Sequence, residues 1–277
     1  MSENDATYKS LTLERRDHVA TVTLCGPGKG NAMGPEFWRE MPPLFAALDR
    51  DDDVRAVIIR GSGVHFSYGL DLMRMLQDLG PAFGGTNLAK ERTALYDTIG
   101  EMQLAVTNVA RCRKPVIAAI AGWCIGGGLD LIAACDVRIC SSDARFSLRE
   151  TKLAIVADIG SLQRLPAIIG QGRTRELAFT GKDIDAGRAM QIGLVNDVFA
   201  DHEALFAAAS EMAHEIAANP PLAVQGAKRV LNWGQGRPLD DALDHVALWN
   251  SAFLQSNDLG EALAAFLERR PPRYSGS

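Results

Sequence analysis

The run Lys114-Pro-Val-Ile-Ala-Ala-Ile-Ala-Gly-Trp-Cys-Ile-Gly-Gly-Gly-Leu-Asp130 decides how the rest of the chain is read. Pro115 to Ile120 is an unbroken apolar stretch, the pattern of a strand buried on both faces. Three glycines, Gly126 to Gly128, then lead into a short apolar helix. Glycine lets a backbone approach a ligand closely, and a helix start exposes free N–H groups at its positive dipole end. Together they can hold an anion or a developing oxyanion. The same glycines would also serve a tight packing turn, and the local pattern leaves both readings open. The spacing matches neither a G-x-G-x-x-G fingerprint nor a Walker loop, so phosphate cradling is not its default use.

Outward from this run, β-rich and helical stretches alternate. Val19-Ala-Thr-Val-Thr-Leu24, Arg55-Ala-Val-Ile-Ile-Arg60 and Asp136-Val-Arg-Ile-Cys140 predict further strands. Amphipathic helices are expected from Pro35 to about Asp51 and from about Lys90 to Ala110. That order implies βα units in a layered α/β core. Beyond about Asp201 strands give way to helices over Glu203 to Ala218, Leu222 to Trp233, Leu239 to Gln255 and Leu259 to Arg269. The expected division is a core carrying the site over residues 1–200 and a helical region over 201–277. Trp249 and Phe253, four residues apart, give that tail an aromatic stripe in need of something to pack against.

With 277 residues, 47% of them hydrophobic, the chain can bury a large core. A formal charge of −5 supplies no global positive field for a nucleic-acid backbone. Cys25, Cys112, Cys124, Cys135 and Cys140 are odd in number, lack a C-x-x-C pair and lie among apolar residues. They are expected to be buried free thiols in a reducing cytoplasm. Met1-Ser-Glu-Asn-Asp-Ala has no basic stretch or apolar h-region, and no uncharged run approaches the length of a bilayer span, so a cytoplasmic protein without membrane partners is expected. His18, His65, His202, His214 and His245 show no metal-ligand spacing, and no G-x-S-x-G elbow is present.

The 114–130 segment resembles the signature of the crotonase (enoyl-CoA hydratase/isomerase) superfamily. Pro27-Gly-Lys-Gly-Asn-Ala-Met33, His65-Phe-Ser-Tyr-Gly-Leu-Asp-Leu72, Pro220 to Arg229 and Ala265 to Pro271 agree with it in the same order, over nearly the full chain. The resemblance implies a crotonase-like α/β spiral of ββα units whose C-terminal helices build a homo-trimer or a hexamer, a dimer of trimers. It implies an acyl-CoA thioester substrate, coenzyme A arriving as part of it, with no metal and no redox cofactor. It places the thioester carbonyl between the N–H groups of Leu70 and Gly127, and Tyr68, Gly69, Asp71 and Gly128 around the pantetheine and thioester. Lys29, Arg269, Arg270 and Arg273 become candidate contacts for the coenzyme, with plain surface charge as the alternative for each.

The carboxylates then separate the subfamilies. Hydratases of this superfamily carry glutamate directly after the glycine run and again twenty positions later, where this chain has Asp130 and Glu150. The shorter aspartate pulls its carboxylate back from a hydratase's attacking water. Asp158 stands where hydratases typically carry glycine. The triplet Asp130, Glu150 and Asp158 is similar to that of the dienoyl-CoA isomerases, implying Asp158 as base at C2, Glu150 as acid at C6, and Asp130 holding its neighbours. An enoyl-CoA hydratase is the first alternative, and a CoA-thioester binder without catalysis the second. Each residue also has a plain structural use: Asp158 as a helix cap, Asp130 as a partner of the helix dipole, Glu150 as a solvated loop charge. The wall facing the acyl chain is expected from Gln77 to Tyr96, where Gly80-Pro-Ala-Phe-Gly-Gly85 suggests a mobile stretch.

Overall fold

The computed structural model describes residues 8–76 and 88–277, so most of the expected pocket wall, Gly80 to Gly85 included, lies outside the described residues. In chain order the first elements are β1 (Leu11–Arg16), β2 (Val19–Leu24), α1 (Pro35–Arg50), β3 (Ala56–Gly61), a helical run α2 (72–76) and α3 (Leu88–Arg111). They continue with β4 (Val116–Ile120), β5 (Trp123–Ile125), α4 (Gly127–Ala133), β6 (Val137–Ser141), β7 (Arg145–Ser147) and a 3₁₀ turn (Glu150–Leu153). Next come α5 (Ser161–Ile169), α6 (Gln171–Thr180), β8 (Asp183–Asp185), α7 (Ala186–Gln191) and β9 (Asp197–Phe199). The chain closes with α8 (His202–Ala217), α9 (Pro221–Gly234), α10 (Leu239–Phe253) and α11 (Asn257–Glu268).

The strands expected from unbroken apolar runs form the middle of a sheet ordered β1-β2-β3-β4-β6-β9, parallel throughout except for the β1–β2 hairpin. Side chains alternate between the faces of a strand, and here the alternation feeds two cores. Val57 and Ile59 of β3 and Val116, Ala118 and Ile120 of β4 point into the larger one, with α1, α3 and α4. Ala56, Ile58, Ile117 and Ala119 point the other way, onto Leu205, Ala209, Ala213 and Ala217 of α8. Those α8 residues recur every four positions along one helix face. The helix that opens the 201–277 region is therefore a layer of the core, covering one face of its sheet.

A second, three-stranded sheet ordered β5-β7-β8 starts inside the glycine-rich run. Trp123 to Ile125 pair with Arg145 to Ser147, and Ser67 adds a single bridge to Cys124 from the other side. The glycines thus end one strand and begin α4, which aims the start of that helix at the loop over residues 65–71. The tail is tied back by Lys228 of α9, whose ammonium donates to Lys114 O at 3.0 Å and to Asp136 Oδ2 at 2.6 Å. The predicted aromatic stripe is present: the Trp249 and Phe253 rings lie 4.4 Å apart, and Trp249 crosses Gly226 of α9 at a distance that leaves no room for a Cβ.

Candidate active site

The loop over residues 62–71 is pinned from the Gly-Asn-Ala-Met segment. Asn31 adopts a left-handed backbone (φ 54°), and its amide donates to Ser62 O at 2.9 Å and His65 O at 2.7 Å. Met33 then brackets Leu70: its N–H donates to Gly69 O at 2.7 Å, and its carbonyl accepts from Asp71 N at 3.1 Å and from Trp38 Nε1 at 3.2 Å. The Leu70 N–H meets no backbone carbonyl among the described residues. Gly127 is the first residue of α4, so its N–H is one of that helix's orphan donors.

The two donors come together because Gly127 and Gly69, the residue before Leu70, carry no side chains. A Cβ on Gly127 would stand 3.7 Å from Leu70 N and 3.1 Å from Met33 Sδ. A Cβ on Gly69, whose φ is +78°, would meet Ile125 O at 2.5 Å and Gly127 N at 2.9 Å.

Three carboxylates reach the adjoining cavity from three elements. Asp130, in the first turn of α4, is only 1% exposed, and its Oδ1 accepts from Ser161 N at 2.6 Å. It thereby caps α5, whose own N-cap, Gly160, has no side chain to offer. Burial, opposed by Ser161 and reinforced by Asp158, pushes the Asp130 pKa up to about 6. Glu150 opens the 3₁₀ turn with Oε1 lying 3.2 Å from where a Cβ of Gly126 would be, while Oε2 is buried without a hydrogen-bond partner. Its pKa is raised to about 7, first by burial and then by the charges of Asp130 and Asp158. Asp158 sits in the loop before α5, where its backbone carbonyl accepts from Gln103 Nε2 at 2.7 Å. Burial raises its pKa too. The capping and solvated-loop readings of Asp158 and Glu150 therefore do not describe them, and the cap belongs to Asp130.

The cavity they share has a volume of about 520 Å³. Tyr68, Leu70, Gly127 and the three carboxylates line it, and Trp38, Leu72, Met102, Leu153, Ile155 and Ile159 make most of the remaining wall apolar. Gly69, Asp71 and Gly128 stand behind this lining. Asp71 Oδ1 accepts from Arg74 N in the first turn of α2, and Gly128 packs beneath Ser67.

The basic candidates lie elsewhere. Arg270 donates to both oxygens of Glu261, at 2.6 and 2.8 Å, and to Glu268 at 2.5 Å. Arg269 ends α11 in a left-handed conformation, Arg273 N donates to Glu261, and Lys29 is exposed. Sequence reading missed Trp38 and Met102, whose spacing on α1 and α3 is that of ordinary core residues. It also missed Arg149, which lies over the Trp123 ring at 5.4 Å and pairs with Asp183 at 2.5 Å.

Grouped carboxylates burden the fold. The folded pKa of Glu150 lies above its ordinary 4.5, so the stability it favours is complete below that value and is lost as pH rises through about 7. Glu150→Gln is expected to raise Tm at pH 8 by about 3–6 °C, from about 1–2 kcal/mol after discounting for partial solvation. At pH 4 the gain should vanish. Calorimetric melts at both pH values check this, and an equal shift at both would contradict it.

The family model described as enoyl-CoA hydratase/isomerase matches residues 14–277. The chain is 43% identical over 272 residues to the mitochondrial Delta(3,5)-Delta(2,4)-dienoyl-CoA isomerase of Dictyostelium discoideum, covering 96% of this chain and 92% of that one. It is 41% identical over 271 residues to the peroxisomal Delta(3,5)-Delta(2,4)-dienoyl-CoA isomerase of Arabidopsis thaliana, covering 97% and 98%. The crystal structure of an enoyl-CoA hydratase from Bacillus anthracis superposes with a TM-score of 0.87 at 31% identity, over 97% of this chain and all of that one. A parallel sheet feeding a glycine-led helix, the bracketed loop beside it and these matches agree: the chain belongs to the enoyl-CoA hydratase/isomerase family and has the crotonase fold.

Proposed function

We propose that this chain converts a 3,5-dienoyl-CoA thioester into the conjugated 2,4-dienoyl-CoA by moving a proton from C2 to C6. The observation that carries the reading is the placing of Asp130, Glu150 and Asp158 around one largely apolar cavity, beside the N–H groups of Leu70 and Gly127, which meet no backbone carbonyl among the described residues. Removing a thioester α-proton leaves charge on the carbonyl oxygen, and each N–H aimed there lowers the barrier by about 3 kcal/mol. Asp158, as carboxylate, takes the C2 proton. The released electron pair forms C2=C3, the C3=C4 pair moves to C4=C5, and the C5=C6 pair takes a proton from Glu150 at C6. Mass is unchanged.

Electrostatics supports a proton-carrying Glu150: it is pushed to about 7, so about half of it is protonated at neutrality, while burial raises Asp158 as well. A protonated acid and an ionised base are what the first step needs. Each turnover leaves the proton on Asp158 and the charge on Glu150, so a proton must return before the next. The scheme uses no metal and no redox cofactor, coenzyme A being part of the substrate. A homo-trimer or hexamer is part of the same reading, supported by the exposed apolar side chains of Leu243, Leu263 and Phe266 on α10 and α11. Among the described residues no helix is long and apolar enough to cross a membrane. The five free thiols support a cytoplasmic or other reducing compartment.

The test is incubation with a 3,5-dienoyl-CoA and, separately, a 2-enoyl-CoA, following conjugated-diene absorbance and product mass. Diene formation at constant mass is expected, with kcat/KM falling above pH about 7 as Glu150 loses its proton. Addition of water to the 2-enoyl substrate without diene formation would make the chain a hydratase. No change in either substrate would leave a thioester binder.

A further inference from the structure

Beside the three carboxylates lies a hydroxyl that the scheme above leaves unused. Ser161, the first residue of α5, is fully buried; among the described residues its Oγ completes no hydrogen bond in the position it occupies, yet it stands near enough to Asp130 to help hold that carboxylate's charge. Its own N–H already donates to Asp130 Oδ1 at 2.6 Å, so the hydroxyl belongs to the residue that directly contacts that carboxylate. A buried hydroxyl left without a partner is costly, which favours a rotamer that donates to a neighbouring carboxylate.

We infer that Ser161 is a positioning residue, whose hydroxyl rotates to donate to Asp130 when that carboxylate is charged and so leaves the site's mobile proton on Glu150. The consequence for turnover rests on the isomerase reading; the contact with Asp130 does not.

The surroundings of Asp130 give the hydroxyl this task. Glu150 from the 3₁₀ turn and Asp158 from the loop before α5 repel its charge, and Cys124 of β5 lies near it as a neutral thiol. Arg164 of α5 attracts it, but that guanidinium donates to Ile159 O at 3.3 Å and Thr107 Oγ1 at 3.1 Å. Among the described residues, the donors that remain for it are the N–H and O–H of Ser161. A carboxylate accepts at several lone-pair positions, and a serine hydroxyl reorients about two bonds, so one residue can supply both donors. Three carboxylates in one apolar cavity cannot all ionise, and the one with the best donors keeps its charge. Binding the charge on Asp130 therefore sends the shared proton to Glu150, where the proposed reaction needs it.

The experiment labels aspartate carboxyl carbons with ¹³C in the full chain and follows the Asp130 titration by NMR, assigned by its loss in Asp130→Asn. In Ser161→Ala the Asp130 midpoint is expected to rise by about one unit, because a donor to the charged form is gone. Ser161→Thr should restore the native midpoint. At pH 6.5, kcat for diene formation should fall about threefold to tenfold in Ser161→Ala with KM little changed. In an Asp130→Asn background the same change should have no further effect on the pH profile. A Ser161→Ala midpoint that coincides with the native one overturns the inference, whatever the activity. If the native enzyme forms no diene, the isomerase reading fails while the titration still decides the role of Ser161.

Discussion

Replacing Asp158 by Asn is expected to lower kcat for diene formation by about 10²–10⁴-fold, the usual contribution of a positioned proton-transfer group. The change keeps the shape of the side chain and removes its ability to take a proton. Little in the fold depends on the carboxylate. Its loop is held by the backbone, through Gln103 Nε2 on the Asp158 carbonyl, and the neighbouring Ala157 and Ile159 are buried. The helix that follows is capped by Asp130, with no side-chain cap from its own loop. Tm is therefore expected to hold or rise, since a charge that burial disfavours is lost. A drop in kcat with KM and Tm preserved would identify Asp158 as the base. If the variant retains diene formation within a factor of about three, C2 is deprotonated by another group, and Glu150 becomes the first to examine. The same variant assayed for water addition separates the subfamilies, because a hydratase would not need a carboxylate at this position.

How much of this was legible in the sequence depended on how far each signal extends along the chain. β4 shows as an unbroken apolar run because both its faces are buried, and α8 as a fourfold repeat because only one face is. β1 carries its charged residues at one end and lies at the sheet edge, so Leu11-Thr-Leu-Glu-Arg-Arg16 gives no clean alternation. The three-residue strands β5, β7 and β8 are too short for any period, and β5 was hidden inside what looked like a turn. The candidate site behaves in the same way. Asp130, Glu150 and Asp158 could be named from resemblance because they lie close in sequence and match one pattern. Their chemistry could not, since burial and mutual repulsion depend on β5, the 3₁₀ turn and α5 folding onto one another. Asp130 shows the limit best: an aspartate early in a helix suggests the dipole of that helix, yet its hydrogen bond goes to the start of another. The apolar wall was invisible for a simpler reason. Trp38 and Met102 occupy helix positions whose spacing is the same whether they face a core or a cavity.

Gly69→Ala should be the most damaging change outside the carboxylates, lowering kcat by about 10²–10³-fold through the proposed oxyanion donors. A left-handed backbone at φ +78° already disfavours alanine by about 1–2 kcal/mol. The greater obstacle is space, because the new methyl would stand 2.5 Å from Ile125 O and 2.9 Å from Gly127 N. Neither can yield readily. Ile125 is held in β5 by pairing with Ser147 and by its N–H on Ser67 O, and Gly127 starts α4. The loop must retreat instead, drawing Gly69 away from the N–H of Met33 and Leu70 away from Gly127, so that one oxygen no longer meets both donors. The fitting control is Gly63→Ala, which carries similar backbone strain at φ +66° with nothing within 4 Å of the added methyl. That variant should lose stability alone and keep its kcat. If both glycine variants lose Tm equally but only Gly69→Ala loses turnover, the loss belongs to the Leu70–Gly127 pair. Equal kcat in the two would mean that the thioester oxygen is held elsewhere.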